Sequence, residues 1–178
     1  MKYFNIHKLL KLADFVTLLN VVSGVLAIMF AISGNFNLAA IFLIGAVMFD
    51  ALDGRVARMF FHKTSEKQKD FGKQLDSLAD VISFGVAPAI IGYMMGFRSW
   101  YWIIVLLLYV CCGVLRLARF NITKSQTLFE GLPITVGGVI IALLIFVANF
   151  QTWPLLIMPY VYLIMAILMI SSISIKKI

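Results

Sequence analysis

Residues 15–49 read FVTLLNVVSGVLAIMFAISGNFNLAAIFLIGAVMF and hold no Asp, Glu, Lys or Arg. About 20 helical residues, each rising 1.5 Å, cross roughly 30 Å of hydrocarbon. This run is therefore two crossings, and Ser33-Gly34-Asn35 supplies the turn between them. Residues 131–175 form a second charge-free run of double length, interrupted by Asn149-Phe150-Gln151-Thr152-Trp153-Pro154. Together with the charge-free stretches 81–97 and 99–115, this predicts six helices at roughly 14–33, 37–58, 72–95, 100–119, 132–149 and 154–174.

Composition agrees. Of 178 residues, 62% are hydrophobic and 13% charged, where a soluble domain is about half apolar and about a quarter charged. The mean hydropathy is +1.01. A soluble enzyme, a disulfide scaffold and a disordered tail are excluded; the chain reads as an all-α membrane protein, one domain over 1–178, without internal repeats. Cys111 and Cys112 adjoin within one helix and read as small packing residues.

Basic residues set the expected orientation, because Lys and Arg stay on the cytoplasmic side. Lys2, Lys8, Lys11, Lys63, Lys67, Lys69, Arg116, Arg119, Lys124, Lys176 and Lys177 all fall on one side, and Arg98 alone falls on the other. Both termini are therefore expected in the cytoplasm, with the protein integral to the plasma membrane of a prokaryote. Trp100, Tyr101, Trp102 and Trp153 mark the outer interface. Residues 2–13 mix lysines with Phe4, Ile6, Leu9, Leu10 and Leu12, which suits a short interfacial helix on anionic lipid, or simply a basic tail. The same stretch imitates a signal peptide, but Asn20 and the length of the apolar run favour its retention. The net charge of +7 suits membrane lipids and an anionic substrate; no basic, stacking-rich domain points to nucleic acid.

Half of the eight acidic residues lie in two short segments: Asp50 and Asp53, then Asp76 and Asp80. Asp50, Asp53, Gly54 and Ala57 share one helical stripe; Gly72, Asp76, Ala79, Asp80 and Ser83 share another. The two helices are consecutive and antiparallel, so the stripes can face each other just inside the inner surface. Four adjacent carboxylates need compensation, and two divalent cations would neutralise them. All-oxygen ligation favours Mg²⁺ or Mn²⁺ over zinc. Gly54, Ala57 and Gly72 clear space for a ligand beside the acids, or else serve close helix packing. Arg58 can fork onto a diphosphate.

DALDGRVAR (50–58) and GKQLDSLAD (72–80) reproduce every fixed position of the motif D-x2-D-G-x2-A-R…G-x3-D-x3-D. The chain thereby resembles the CDP-alcohol phosphatidyltransferases, and the CDP-alcohol phosphotransferase fold is expected. The spacer 59–71 is longer than usual for that family and reads as a loop insertion. DFGKQLDSLADVISFGVAPA (70–89), GVLRLARFN (113–121) and FEGLPITVGG (129–138) are most similar to the small integral-membrane phosphatidylserine synthases.

The resemblance implies transfer of a phosphatidyl group from CDP-diacylglycerol to the hydroxyl of L-serine, with release of CMP. It further implies one metal on Asp50, Asp53 and Asp76, a second on Asp50, Asp76 and Asp80, and Asp80 as general base. Gly54, Ala57, Arg58 and Gly72, with Asp53 and with Thr17 and Asn20 from the first helix, would bind the CDP-lipid. A homodimer is also implied. For serine, Arg116 and Arg119 at spacing i, i+3 could hold its carboxylate, with Asn121 following; the alternative is that both arginines anchor lipid headgroups. Other readings are a related enzyme using glycerol 3-phosphate or inositol phosphate, an archaetidylserine synthase, a membrane prenyltransferase, and a divalent-cation transporter.

Overall fold

A computed structural model describes residues 10–59, 65–122, 128–171 and 174–176. The first apolar run folds as the two helices its length requires. α1 (Leu12–Ile32) opens with Asp14 in its first turn, whose carboxylate accepts the Lys11 backbone N–H at 2.8 Å. A negative group at this end complements the helix dipole. Gly34 closes the helix at φ 79°, with the N–H groups of Gly34 and Asn35 bonding back to Ala31 and Phe30. That 5→2 and 6→1 pairing is a Schellman cap, which needs a left-handed residue and so favours glycine. The Asn35 side chain then accepts the Leu38 N–H and starts α2 (Phe36–Met59).

A single rod follows, made of α3 (Glu66–Asp80), a π-helical turn (Val81–Val86) and α4 (Ala87–Met94). It starts at Glu66, ahead of the expected residue 72, because Ser65 and Gln68 form a capping box. The spacer is therefore not simply a loop: Met59 closes α2, and residues 66–71 are already helical. Residues 60–64, including His62, lie outside the described residues, as do residues 1–9, which contain most of the expected interfacial helix.

The π-helical turn has an identifiable cause. Pro88 has no N–H to offer the Phe84 carbonyl four residues back. The buried Tyr109 hydroxyl donates to that carbonyl instead at 2.8 Å, and the Tyr162 hydroxyl donates to the Pro88 carbonyl at 2.5 Å. The two rings meet edge to face with centroids 5.2 Å apart. These tyrosines belong to α5 (Trp100–Ile122) and α7 (Trp153–Ile170), which are thereby fastened to the break in the rod.

α6 (Ile134–Ala148) lies deep in the bundle, with Ile134, Ile141, Ala142 and Ile145 buried. Gly138 brings it against Phe84 of the π-helical turn, where a Cβ would find no room. Five helical segments are long and apolar enough to cross a membrane: Ala13–Ile32, Phe36–Val56, Glu66–Met94, Trp100–Ile122 and Trp153–Ile170. α6 has 15 residues, about 22 Å at helical rise, shorter than the span expected at 132–149. α7 also stops early, at Ile170. Beyond it, β2 (Ser174–Lys176) pairs antiparallel with β1 (Leu128–Glu130), with Phe129 opposite Ile175. This small ribbon was not foreseen; its few residues carry no apolar alternation long enough to signal a strand.

Trp100 and Trp153, both exposed, open α5 and α7 at the end of the bundle opposite the acidic residues. Of the two cysteines, Cys111 is exposed and Cys112 buried, and both are free.

Candidate active site

The two acidic stripes do face each other. Asp50 and Asp53 project from the last turns of α2, Asp76 and Asp80 from α3. Asp50, Asp53 and Asp76 each offer a carboxylate oxygen, and the three oxygens lie within 4.8 Å of one another. Asp80 joins through a side-chain hydrogen bond with Asp50. Carboxylates this close require either a shared proton or a cation between them. Asp53 and Asp80 are buried, and the Oδ1 atoms of Asp76 and Asp80 are enclosed without a hydrogen-bond partner among the described residues. Buried acceptors are rarely left so. An all-oxygen donor set with open positions fits a hard divalent cation such as Mg²⁺ or Mn²⁺.

α1 supplies the third wall. The Thr17 hydroxyl donates to Asp53 Oδ2 at 2.6 Å, and the Gly54 backbone N–H also donates to that carboxylate. Asn20 is fully buried; its carbonyl accepts from the Ser83 hydroxyl at 3.0 Å, while its side-chain amide has no partner among the described residues. Of the two residues expected from the first helix, Thr17 thus touches an acid of the motif, and Asn20 meets Ser83, one turn beyond Asp80.

Gly72 has a different neighbour from the one its motif position suggests. A Cβ there would lie 3.2 Å from Asp14 Oδ1 and 4.0 Å from Lys11 Nζ. The space cleared by this glycine is filled by α1. Asp14 is a fifth acid at the site and, with Asp53 and Asp80, one of its three buried ones at 3% exposed, which sequence reasoning passed over. Its position at spacing i, i+3 before Thr17 was the available signal. Gly54 is half-buried on the Asp53 turn; Ala57 and Arg58 lie on the same helix, but their side chains are outside the described residues.

The two arginines of α5 part company. Arg116 is buried, stands 5.2 Å from the Phe120 ring centre and interacts electrostatically with Asp80. Arg119 instead donates to the Ser171 carbonyl at 3.4 Å, just past the end of α7, where a cation complements the helix dipole. Asn121 donates to Ser77 Oγ at 2.9 Å, and Lys73 Nζ donates to the Asn121 carbonyl at 2.9 Å. This clasp ties the end of α5 to α3 beside the acids and brings Asn121 to the site's rim. The structure therefore gathers Asp50, Asp53, Asp76, Asp80, Thr17, Asn20, Gly54, Gly72 and Arg116 at one end of the bundle, with Arg119 turned toward α7.

Comparison with known proteins agrees with this geometry. The chain is 42% identical over 176 residues to an archaetidylserine synthase of Methanothermobacter thermautotrophicus, covering 97% of this chain and 72% of that protein. It is 40% identical over 174 residues to a CDP-diacylglycerol–serine O-phosphatidyltransferase of Methanocaldococcus jannaschii, covering 98% and 78%. A Bacillus subtilis protein of that same description is 35% identical over 137 residues, covering 75% of each chain. The sequence pattern described as CDP-alcohol phosphatidyltransferase matches residues 10–174, a span that contains all three walls of the acidic site. By that match and those relatives, the chain is a member of the CDP-alcohol phosphatidyltransferase family.

Proposed function

We propose that this protein is a CDP-diacylglycerol–serine O-phosphatidyltransferase, moving the phosphatidyl group of CDP-diacylglycerol onto L-serine with release of CMP. The observation that carries the reading is the meeting of Asp50, Asp53 and Asp76 within 4.8 Å, with Asp80 and Arg116 alongside. Asp50, Asp53 and Asp76 would hold one divalent ion, Mg²⁺ or Mn²⁺, and Asp50, Asp76 and Asp80 a second. When bound, such ions neutralise charge on the diphosphate and on the departing CMP. Gly54, Ala57 and Arg58 would take the donor's nucleotide end, with Asn20 on its deep side, whereas Gly72 admits Asp14 of α1.

Arg116 suits the serine carboxylate, since a guanidinium forks onto a carboxylate bidentately; Asn121 and Arg119 border that position. Asp80 accepts the hydroxyl proton as the serine oxygen bonds to the lipid phosphorus. The bond between that phosphorus and the bridging oxygen of the diphosphate breaks, and CMP leaves with the electron pair. Proton, bond made and bond broken balance without a further reactant.

The one-sided basic residues support an active site and termini facing the cytoplasm of a prokaryotic cell. We read α6 as the crossing expected at 132–149, completed by the non-helical residues at either end, which makes six crossings in all. A homodimer completes the proposal. A donor with ether-linked isoprenoid chains is a second reading, favoured by the 42% identity to the archaetidylserine synthase.

The test is turnover by the detergent-purified protein with Mn²⁺ and either lipid donor. Radiolabelled serine is expected to enter lipid with stoichiometric CMP release. Incorporation of glycerol 3-phosphate in its place would overturn the acceptor assignment, and cation flux without any reaction would favour a transporter.

A further inference from the structure

Among the four acids of the motif, Asp53 differs in having its carboxylate engaged by donors from outside the quartet, whereas Asp50 and Asp80 bond to each other. Asp53 receives the Thr17 hydroxyl at 2.6 Å and the Gly54 N–H, whereas Asp76 and Asp80 each keep an enclosed oxygen with no partner among the described residues. Thr17 is 4% exposed and Asp53 is 7% exposed, so water does not compete for this bond. The Ala13 carbonyl is a second acceptor, 3.2 Å from the same hydroxyl. A hydroxyl has one proton, and the shorter contact to a charged acceptor is the stronger.

Thr17 is also held from both sides. One turn earlier, Asp14 rests over Gly72 of α3. One turn later, the Asn20 carbonyl takes the Ser83 hydroxyl, and Gly24 brings α1 so near Ser83 that a Cβ would not fit. α1 therefore cannot slide or rotate without breaking contacts with the rod that carries Asp76 and Asp80. The Thr17 hydroxyl is a fixed donor.

We infer that Thr17 is a positioning residue of the metal centre: it fixes the Asp53 carboxylate so that one oxygen faces a divalent cation shared with Asp50 and Asp76. This rests on the metal-dependent reading proposed above and adds to it a residue outside the acidic motif. It also gives Thr17 a role that does not require contact with the nucleotide. Hydrogen bonds to the ligands of a metal orient them, and their loss typically lowers metal affinity about 10- to 100-fold.

The experiment measures Mn²⁺ binding to the intact, detergent-purified protein by loss of the free-ion paramagnetic resonance signal, with no nucleotide or lipid donor present. Thr17→Val keeps the side-chain shape and removes the donor; Thr17→Ser keeps the donor. The expected result is Mn²⁺ binding weakened about 10-fold or more in Thr17→Val and within about threefold of the parent in Thr17→Ser. If Thr17→Val does not fold, Thr17→Ala carries the same comparison. Equal Mn²⁺ affinity in the parent and Thr17→Val overturns the inference alone, as does weakened CDP-lipid binding with unchanged Mn²⁺ affinity. Absence of Mn²⁺ binding in the parent overturns the metal-dependent reading itself, and the inference with it.

Discussion

The rod Glu66–Met94 is held by opposite means at its two ends. In its C-terminal part the broken backbone is repaired: Tyr109 and Tyr162 donate to the Phe84 and Pro88 carbonyls, and the surrounding side chains are apolar and buried. In its N-terminal part the backbone is regular, yet Asp76 and Asp80 retain enclosed oxygens without partners among the described residues. Polar satisfaction marks the scaffold, and its lack marks the site. A bundle can keep costly carboxylates at one end only if the other end fixes the helices that carry them.

The sharpest way to break this contrast is at Asp80. Asp80→Asn is expected to lower kcat by about 10²- to 10⁴-fold while CDP-lipid binding persists, read by single-turnover kinetics beside equilibrium binding. Asp50→Asn should instead lose Mn²⁺ and donor binding together. Near-normal turnover by Asp80→Asn would deny that the acidic end performs the chemistry.

Next in size is the split between the α5 arginines. Arg116→Lys loses the planar fork and should raise the KM for serine about 10-fold or more, by weakening hydrogen bonds to a charged group. Arg119→Lys should leave that KM near its starting value and lower the melting temperature, because the guanidinium donates to the Ser171 carbonyl beyond the end of α7. A serine KM that rises equally in both would return Arg119 to the substrate site.

The end beyond the π-helical turn should respond in stability alone. Tyr162→Phe removes a buried hydrogen bond to the Pro88 carbonyl in an apolar setting and should cost up to about 1.5 kcal/mol, read as a lower melting temperature in detergent. Its kcat/KM, measured well below that temperature, should stay within about twofold of the parent. The smallest effect is expected at the clasp: Ser77→Ala frees Asn121 and loses one neutral hydrogen bond, worth about 1 kcal/mol. Thermal stability should fall slightly, with only a few-fold change in serine KM.

How far the sequence could be read varied along the chain. The turn at Ser33-Gly34-Asn35 was legible because a lone interruption in a double-length apolar run has one sensible use. The four acids were legible because i, i+3 and i+4 spacings survive in any helix. Where α3 begins depended on capping: Ser65 and Gln68 carry it, whereas apolarity alone places the start later. The ribbon of β1 and β2 was hidden, since two three-residue strands far apart in sequence signal nothing until the chain brings them together. Asp14 was passed over because, read along the chain, it is only an acid in a helix's first turn.

By itself the sequence determined the solvent, the helices and the two acidic stripes, because hydrophobic length and helical periodicity are properties of each segment alone. Tertiary structure decided which oxygen meets which donor: Thr17 on Asp53, Asp14 over Gly72, Arg116 toward Asp80 and Arg119 toward α7. Those choices depend on the separation and rotation of neighbouring helices to within about an ångström. That accuracy comes from side-chain packing between segments, which no single stretch of sequence contains.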